Sequence, residues 1–122
     1  MLKTRSVLVV DDDSALRNAI VRKLVADGVR ADIAQNATDA IRLLDESRYQ
    51  VVLLDWLLPD GDGDTVISHL RDAGPRRPER VVVMTAAEPH MLTDIDRSMV
   101  KGVLFKPLDL AALTAHVRAL LD

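Results

Sequence analysis

The sequence predicts an α/β domain in which five parallel strands form one sheet and helices cover both faces. Three observations carry this. Short apolar runs such as Val51-Val52-Leu53-Leu54 do not alternate and are too short for helices, which suits strands buried on both faces. Between these runs, apolar residues recur at helical spacing. Strand and helix then alternate along the chain with no linker, repeat or low-complexity segment between them.

The first strand is Val7-Leu8-Val9-Val10, which runs into Asp11-Asp12-Asp13. Asp13 or Ser14 caps the helix that follows. Its buried stripe is Leu16, Ile20 and Leu24, and Gly28 suits the position past its end. Residues 30–34 form a second strand, short and more polar, and therefore at a sheet edge. Asn36 caps the second helix, and Asp39 is favoured there by the helix dipole. Ala37, Ala40, Ile41 and Leu44 supply its apolar face. Residues 50–54 form the third strand. Pro59, Gly61 and Gly63 prevent its continuation, so Asp55 stands at its carboxyl end.

Residues 62–73 form a third helix with Val66, Ile67 and Leu70 inward, ended by the loop Gly74-Pro75-Arg76-Arg77-Pro78. Residues 80–84 form the fourth strand, which ends at Thr85. Pro89 suits the start of a fourth helix carrying Met91, Leu92, Ile95 and Met99, which Gly102 stops. Val103-Leu104-Phe105 is a short fifth strand ending at Lys106-Pro107. Asp109 caps a last helix with Leu110, Leu113, Val117 and Leu120 on one side.

Composition narrows the functions. A chain of 122 residues fits a single domain, 1–122. Aromatics make up 2%, so the core is aliphatic and a base-stacking surface is excluded. A net charge of −3 predicts no broad basic face and no direct nucleic-acid binding. The absence of cysteine excludes disulfides, thiolate zinc sites and thiol catalysis. The basic start, residues 1–5, is followed only by the run 7–10, which is neither a leader nor a membrane span. The expectation is a cytoplasmic protein without a membrane partner.

Parallel strands all point the same way, so Asp11 and Asp12, Asp55, Thr85 and Lys106 are expected on one rim, where such sheets bind ligands. Clustered carboxylates repel unless a cation is present. Oxygen donors without Cys or His favour a hard ion, and Mg2+ held by one or two carboxylates keeps waters and meets phosphate. A carboxylate can also attack phosphorus to give an aspartyl-phosphate. That transfer needs charge neutralisation, which Mg2+ and Lys106 supply, with Thr85 as a hydroxyl donor.

With these residues in view, the sequence resembles the receiver domain of bacterial two-component response regulators, the CheY-like fold. The marks are residues 7–13, Asp55 with Pro59 and Asp62-Gly63 after it, Thr85-Ala86, and Lys106-Pro107. The resemblance implies a flavodoxin-like sheet of order 2-1-3-4-5 with five helices. It implies that Asp55 is the phosphoacceptor. Asp11 and Asp12 are implied as the acid pair for Mg2+, with Asp12 the direct ligand and Asp11 acting through water. The backbone carbonyl of Leu57 is the implied third ligand. Thr85 is similar to the switch hydroxyl, Lys106 to its ion-pairing partner, and a cis Lys106–Pro107 bond is implied.

The partner so implied is a sensor histidine kinase or phosphotransfer protein in a phosphorelay, which makes the chain a signalling module and not an enzyme. The output surface is the fourth helix, fifth strand and fifth helix, open to an output domain, a protein partner or a second copy. Val103 stands where the family carries an aromatic, which predicts an altered switch. Leu57 and Ala87 hold positions that tune dephosphorylation in the family, and neither can orient water. The alternative is a pseudo-receiver, an interaction domain not regulated by phosphorylation. A haloacid-dehalogenase-type phosphatase fits worse, because the chain lacks room for a cap.

Overall fold

A computed structural model describes residues 5–73, 80–86, 88, 92, 95 and 98–121. Along it run β1 (Ser6–Val10), α1 (Ser14–Ala26), β2 (Arg30–Ala34), α2 (Ala37–Glu46) and β3 (Val51–Asp55). A two-stranded hairpin follows, β4 (Leu57–Leu58) and β5 (Gly61–Asp62), then α3 (Gly63–Asp72), β6 (Arg80–Thr85), β7 (Val100–Phe105) and α4 (Leu110–Leu121). The loop expected at 74–78 and most of the fourth predicted helix, with Pro89 and Met91, lie outside the described residues. Leu92 and Ile95 from that helix are described and buried.

The main sheet has the order β2-β1-β3-β6-β7 and every pairing is parallel. This is the doubly wound order expected, counted over the strands of that sheet. Its direction of winding reverses between β1 and β3, where such sheets bind ligands at their carboxyl ends. Residues alternate sides along each central strand. Leu8, Val10, Val52, Leu54, Val81 and Val83 face a core shared with residues of α2 and α3. Val7, Val9, Val51, Leu53, Val82 and Met84 face the opposite core, with Ile20 and Leu24 of α1 and Leu113 and Val117 of α4. Two-sided burial is why these strands read as unbroken apolar runs.

The helix ends follow the predicted caps. Asp13, Asn36 and Asp109 accept from the backbone N–H groups of Leu16, Asp39 and Ala112 at 3.1, 2.7 and 3.1 Å. Gly28 sits at φ +78°, and the Gly28 and Val29 N–H groups donate to Val25 and Leu24 carbonyls at 3.0 Å each. That is a Schellman closure, which needs a residue tolerant of the left-handed region.

Three expectations are corrected: the shortness of β2, the helix stop at Gly102, and the start of the fifth strand, which is Val100 and not Val103. Strand β2 is as long as β1 and β3, five residues each, so length does not distinguish it. Its exposure does: only Ala34 is buried, and Ile33 is 45% exposed at the sheet edge. Gly102 does not stop a helix. It lies inside β7, which begins at Val100, and Met99 is in the turn before it, partly buried. Val81 pairs with Val100 but Val82 pairs with Gly102, so Lys101 is the extra residue of a bulge. A Cβ on Gly102 would stand 2.7 Å from the His116 ring. Close approach, the other common reason for a strand glycine, is what places it.

Candidate functional site

Asp11 and Asp55 end adjacent strands, and both carboxylates are turned inward. Asp11 is fully buried and Asp55 is 4% exposed, while Asp12 is exposed. Asp11 Oδ1 accepts from the Asp13 N–H at 2.9 Å, and Asp55 Oδ1 accepts from the Leu57 N–H at 3.1 Å. These short-range bonds fix one oxygen of each acid. The other oxygens meet a cation: Lys106 Nζ donates to Asp11 Oδ2 at 2.9 Å and to Asp55 Oδ2 at 3.1 Å. Lys106 reaches them from the end of β7, where its own N–H donates to the Thr85 carbonyl at 2.8 Å and its bond to Pro107 is cis. Thr85 is fully buried, one residue beyond Met84, the register partner of Asp55.

Asp11, Asp12 and Asp55 each offer a carboxylate oxygen, and these lie within 4.8 Å of one another. Two oxygens on opposite sides of one Mg2+ are about 4.2 Å apart, so the cluster has the dimensions of a site for one such ion and its water ligands. The donor set is all oxygen, which suits a hard cation. The fold thus brings the five predicted residues to the carboxyl-end rim of the sheet. The Leu57 backbone is beside them in β4, paired with Asp62. Ala87 lies outside the described residues.

Burial raises the pKa of Asp55; the Leu57 N–H opposes this, the Asp11 charge adds to it, and Lys106 opposes it. Burial also works to lower the pKa of Lys106, but its bonds to Asp11 and Asp55 hold it above the usual lysine value. The ammonium therefore stays charged, paired with two of the three clustered carboxylates. The rim keeps an excess of negative charge that a divalent cation would relieve.

Two features were not anticipated. Arg17 is 9% exposed and its Nη1 donates to the Asp11 carbonyl at 2.8 Å, placing a second cation behind the rim. Its signal was spacing: Arg17, Ile20 and Leu24 are the buried residues of α1, and the arginine sits three before Ile20. The hairpin after Asp55 was expected only as a turn. Outside the site, His69 Nε2 lies 2.8 Å from Asp45 Oδ1, joining α3 to α2.

A doubly wound parallel sheet carrying an acid triad and a bridging lysine on its rim defines a class of small α/β domains with a cation-ready carboxylate site. Residues 7–118 match the family described as the response regulator receiver domain, and the chain belongs to that family. It is 34% identical over 122 residues to the transcriptional regulatory protein PcoR of Escherichia coli, which covers 94% of the chain and 50% of that protein. The chain spans about half the length of the curated relatives it matches. Among solved structures, a two-component response regulator from Clostridium difficile aligns with a TM-score of 0.86 at 28% identity, covering 97% of this chain and 96% of that one. The response regulator TrrA of Thermotoga maritima, in complex with Mg(2+)-BeF, aligns with a TM-score of 0.82 at 24% identity, covering 96% of this chain and 99% of that one. No helix among the described residues is long and apolar enough to cross a membrane.

Proposed function

We propose that this domain accepts a phosphoryl group on Asp55 from the phosphohistidine of a sensor kinase or phosphotransfer protein and so switches a partner-binding surface. The observation that carries this is the Lys106 ammonium bridging Asp11 and Asp55 at 2.9 and 3.1 Å on a rim that also holds Asp12. Asp12, Asp55 and the Leu57 carbonyl would hold Mg2+ directly, and Asp11 through water. Bound Mg2+ supplies neutralisation of the transferring oxygens. An Asp55 oxygen attacks phosphorus, the O–P bond forms as the P–N bond breaks, and the leaving imidazole nitrogen keeps its electron pair. Lys106 then turns from Asp55 to the phosphoryl oxygens, and the Thr85 hydroxyl donates to them. The Mg(2+)-BeF complex of the Thermotoga protein supports the same use of the rim here.

The test is labelling with acetyl phosphate and Mg2+. Wild type takes one phosphoryl group and Asp55→Asn takes none. Label persisting in Asp55→Asn overturns the assignment. A wild type that stays unlabelled, with acetyl phosphate and with phosphohistidine donors, favours the interaction-only pseudo-receiver.

A further inference from the structure

The β4–β5 hairpin leaves the site directly. It has only two residue pairs, Leu57 with Asp62 and Leu58 with Gly61, and a hairpin that small does not hold itself. Its tip is tied to a distant element. Asp60 Oδ1 accepts from the Ala37 N–H at 2.8 Å, and Oδ2 accepts from the Thr38 N–H at 3.0 Å and the Thr38 hydroxyl at 2.7 Å. Ala37 and Thr38 are the first two residues of α2, whose capping residue Asn36 satisfies only the third N–H, that of Asp39. Asp60 therefore completes the cap of α2 from more than twenty residues away. The Thr38 hydroxyl and these two N–H groups lower its pKa to about 2, so it is ionised at neutral pH.

At its base the hairpin is fixed more firmly. The Trp56 N–H donates to the Met84 carbonyl at 3.0 Å, and the Trp56 carbonyl accepts from the Gly63 N–H at 2.7 Å. With the base pinned, the anchor at the tip sets the course of the backbone between them, at Leu57.

We propose that Asp60 is a positioning residue for the metal site: by anchoring the hairpin to α2 it holds the Leu57 backbone toward the acid cluster and couples occupancy of that cluster to the α2 N-terminus. The inference rests on the receiver reading above. Loss of this anchor leaves Asp11, Asp12 and Asp55 in place, so metal affinity falls without vanishing. Coupling runs both ways, so metal binding is felt at Ala37 and Thr38.

The experiment compares wild type, Asp60→Ala, Asp60→Asn and Asn36→Ala. Asn36→Ala is the control, since it uncaps the same helix without touching the hairpin. Mg2+ affinity is read from Trp56 fluorescence, amide exchange over residues 57–62 in metal-free protein, and the amide signals of Ala37 and Thr38 with and without Mg2+. Asp60→Ala is expected to bind Mg2+ about tenfold more weakly, the low end for residues that orient metal ligands. It should also exchange faster over 57–62, and residues 37 and 38 should no longer respond to Mg2+. Asp60→Asn keeps one acceptor oxygen and recovers part of the affinity, and it carries the test if the alanine variant does not fold. Asn36→Ala loses thermal stability yet keeps its Mg2+ affinity to within about twofold. Equal affinity in wild type and both Asp60 variants, or an equal loss in Asn36→Ala, overturns the inference and leaves the receiver reading standing. A wild type with no Mg2+ response overturns both.

Discussion

Asp55, the proposed phosphoacceptor, is under tension, because its site favours the proton. The folded pKa is raised, chiefly by burial, so its contribution to stability is present below the ordinary carboxylate range and lost as pH rises through the folded value. Metal-free protein should therefore be stabilised by Asp55→Asn at neutral pH, and that gain should shrink as pH falls into the ordinary carboxylate range. Urea melts at neutral pH and in that range check this, and a destabilised variant at neutral pH would contradict it. Tyr49 has the same sign in a different range. It is 2% exposed, donates to Asp32 Oδ2 at 2.6 Å, and has a pKa pushed up to about 12, first by burial and then by Asp32. Its contribution is intact below pH 10 and lost as pH rises through about 12. Tyr49→Phe should cost about 1–2 kcal/mol at neutral pH and show a smaller alkaline loss than wild type.

At the scale of elements, two glycines that read alike in the sequence differ in what they meet. A Cβ on Gly63 would stand 2.6 Å from the Trp56 ring and 3.2 Å from Trp56 Cα, and a backbone atom cannot swing aside. On Gly102 the obstacle is the tip of the His116 side chain, which can. Gly63→Ala is expected to cost about 1–3 kcal/mol and shift Trp56 emission, despite better helix propensity, while Gly102→Ala costs less than half of that. Thermal melts of the two variants side by side decide it. The proposed output switch also belongs here. Val103 is half-buried in β7 and β-branched, hence stiff at χ1. Beryllofluoride with Mg2+ should shift the amides of Thr85 and Ala86 and leave the Val103 side chain in its rotamer. Large changes confined to α1 and α2 would place the output face elsewhere.

Over the whole molecule, the site is where the two halves of the sheet meet, so its charge is a global term. A ligand that binds only the folded state stabilises it by mass action. Mg2+ at ten times its Kd should add about 1.4 kcal/mol to wild type and almost nothing to Asp12→Ala. An unchanged response in Asp12→Ala would show that Asp12 is not a ligand.

The sequence by itself determined the parallel sheet, its central strands, the caps at Asn36 and Asp109 with the first at Asp13 or Ser14, and the rim carrying Asp11, Asp12, Asp55, Thr85 and Lys106. Two-sided burial writes unbroken apolar runs, and parallel direction puts every strand end on one edge; both are local patterns with one consequence. Only the tertiary structure decided that Gly102 belongs to a bulged strand beneath His116, because a glycine that breaks a helix and one that admits a neighbour look the same in a sequence. It alone placed Arg17 behind Asp11 and Asp60 on the first turn of α2. Those bonds join residues far apart in the chain or run against the polarity of a buried stripe. The spacing of Arg17 marks its face of α1, but no local pattern names either partner; the bonds exist because the folded sheet leaves backbone carbonyls and N–H groups that some side chain must satisfy.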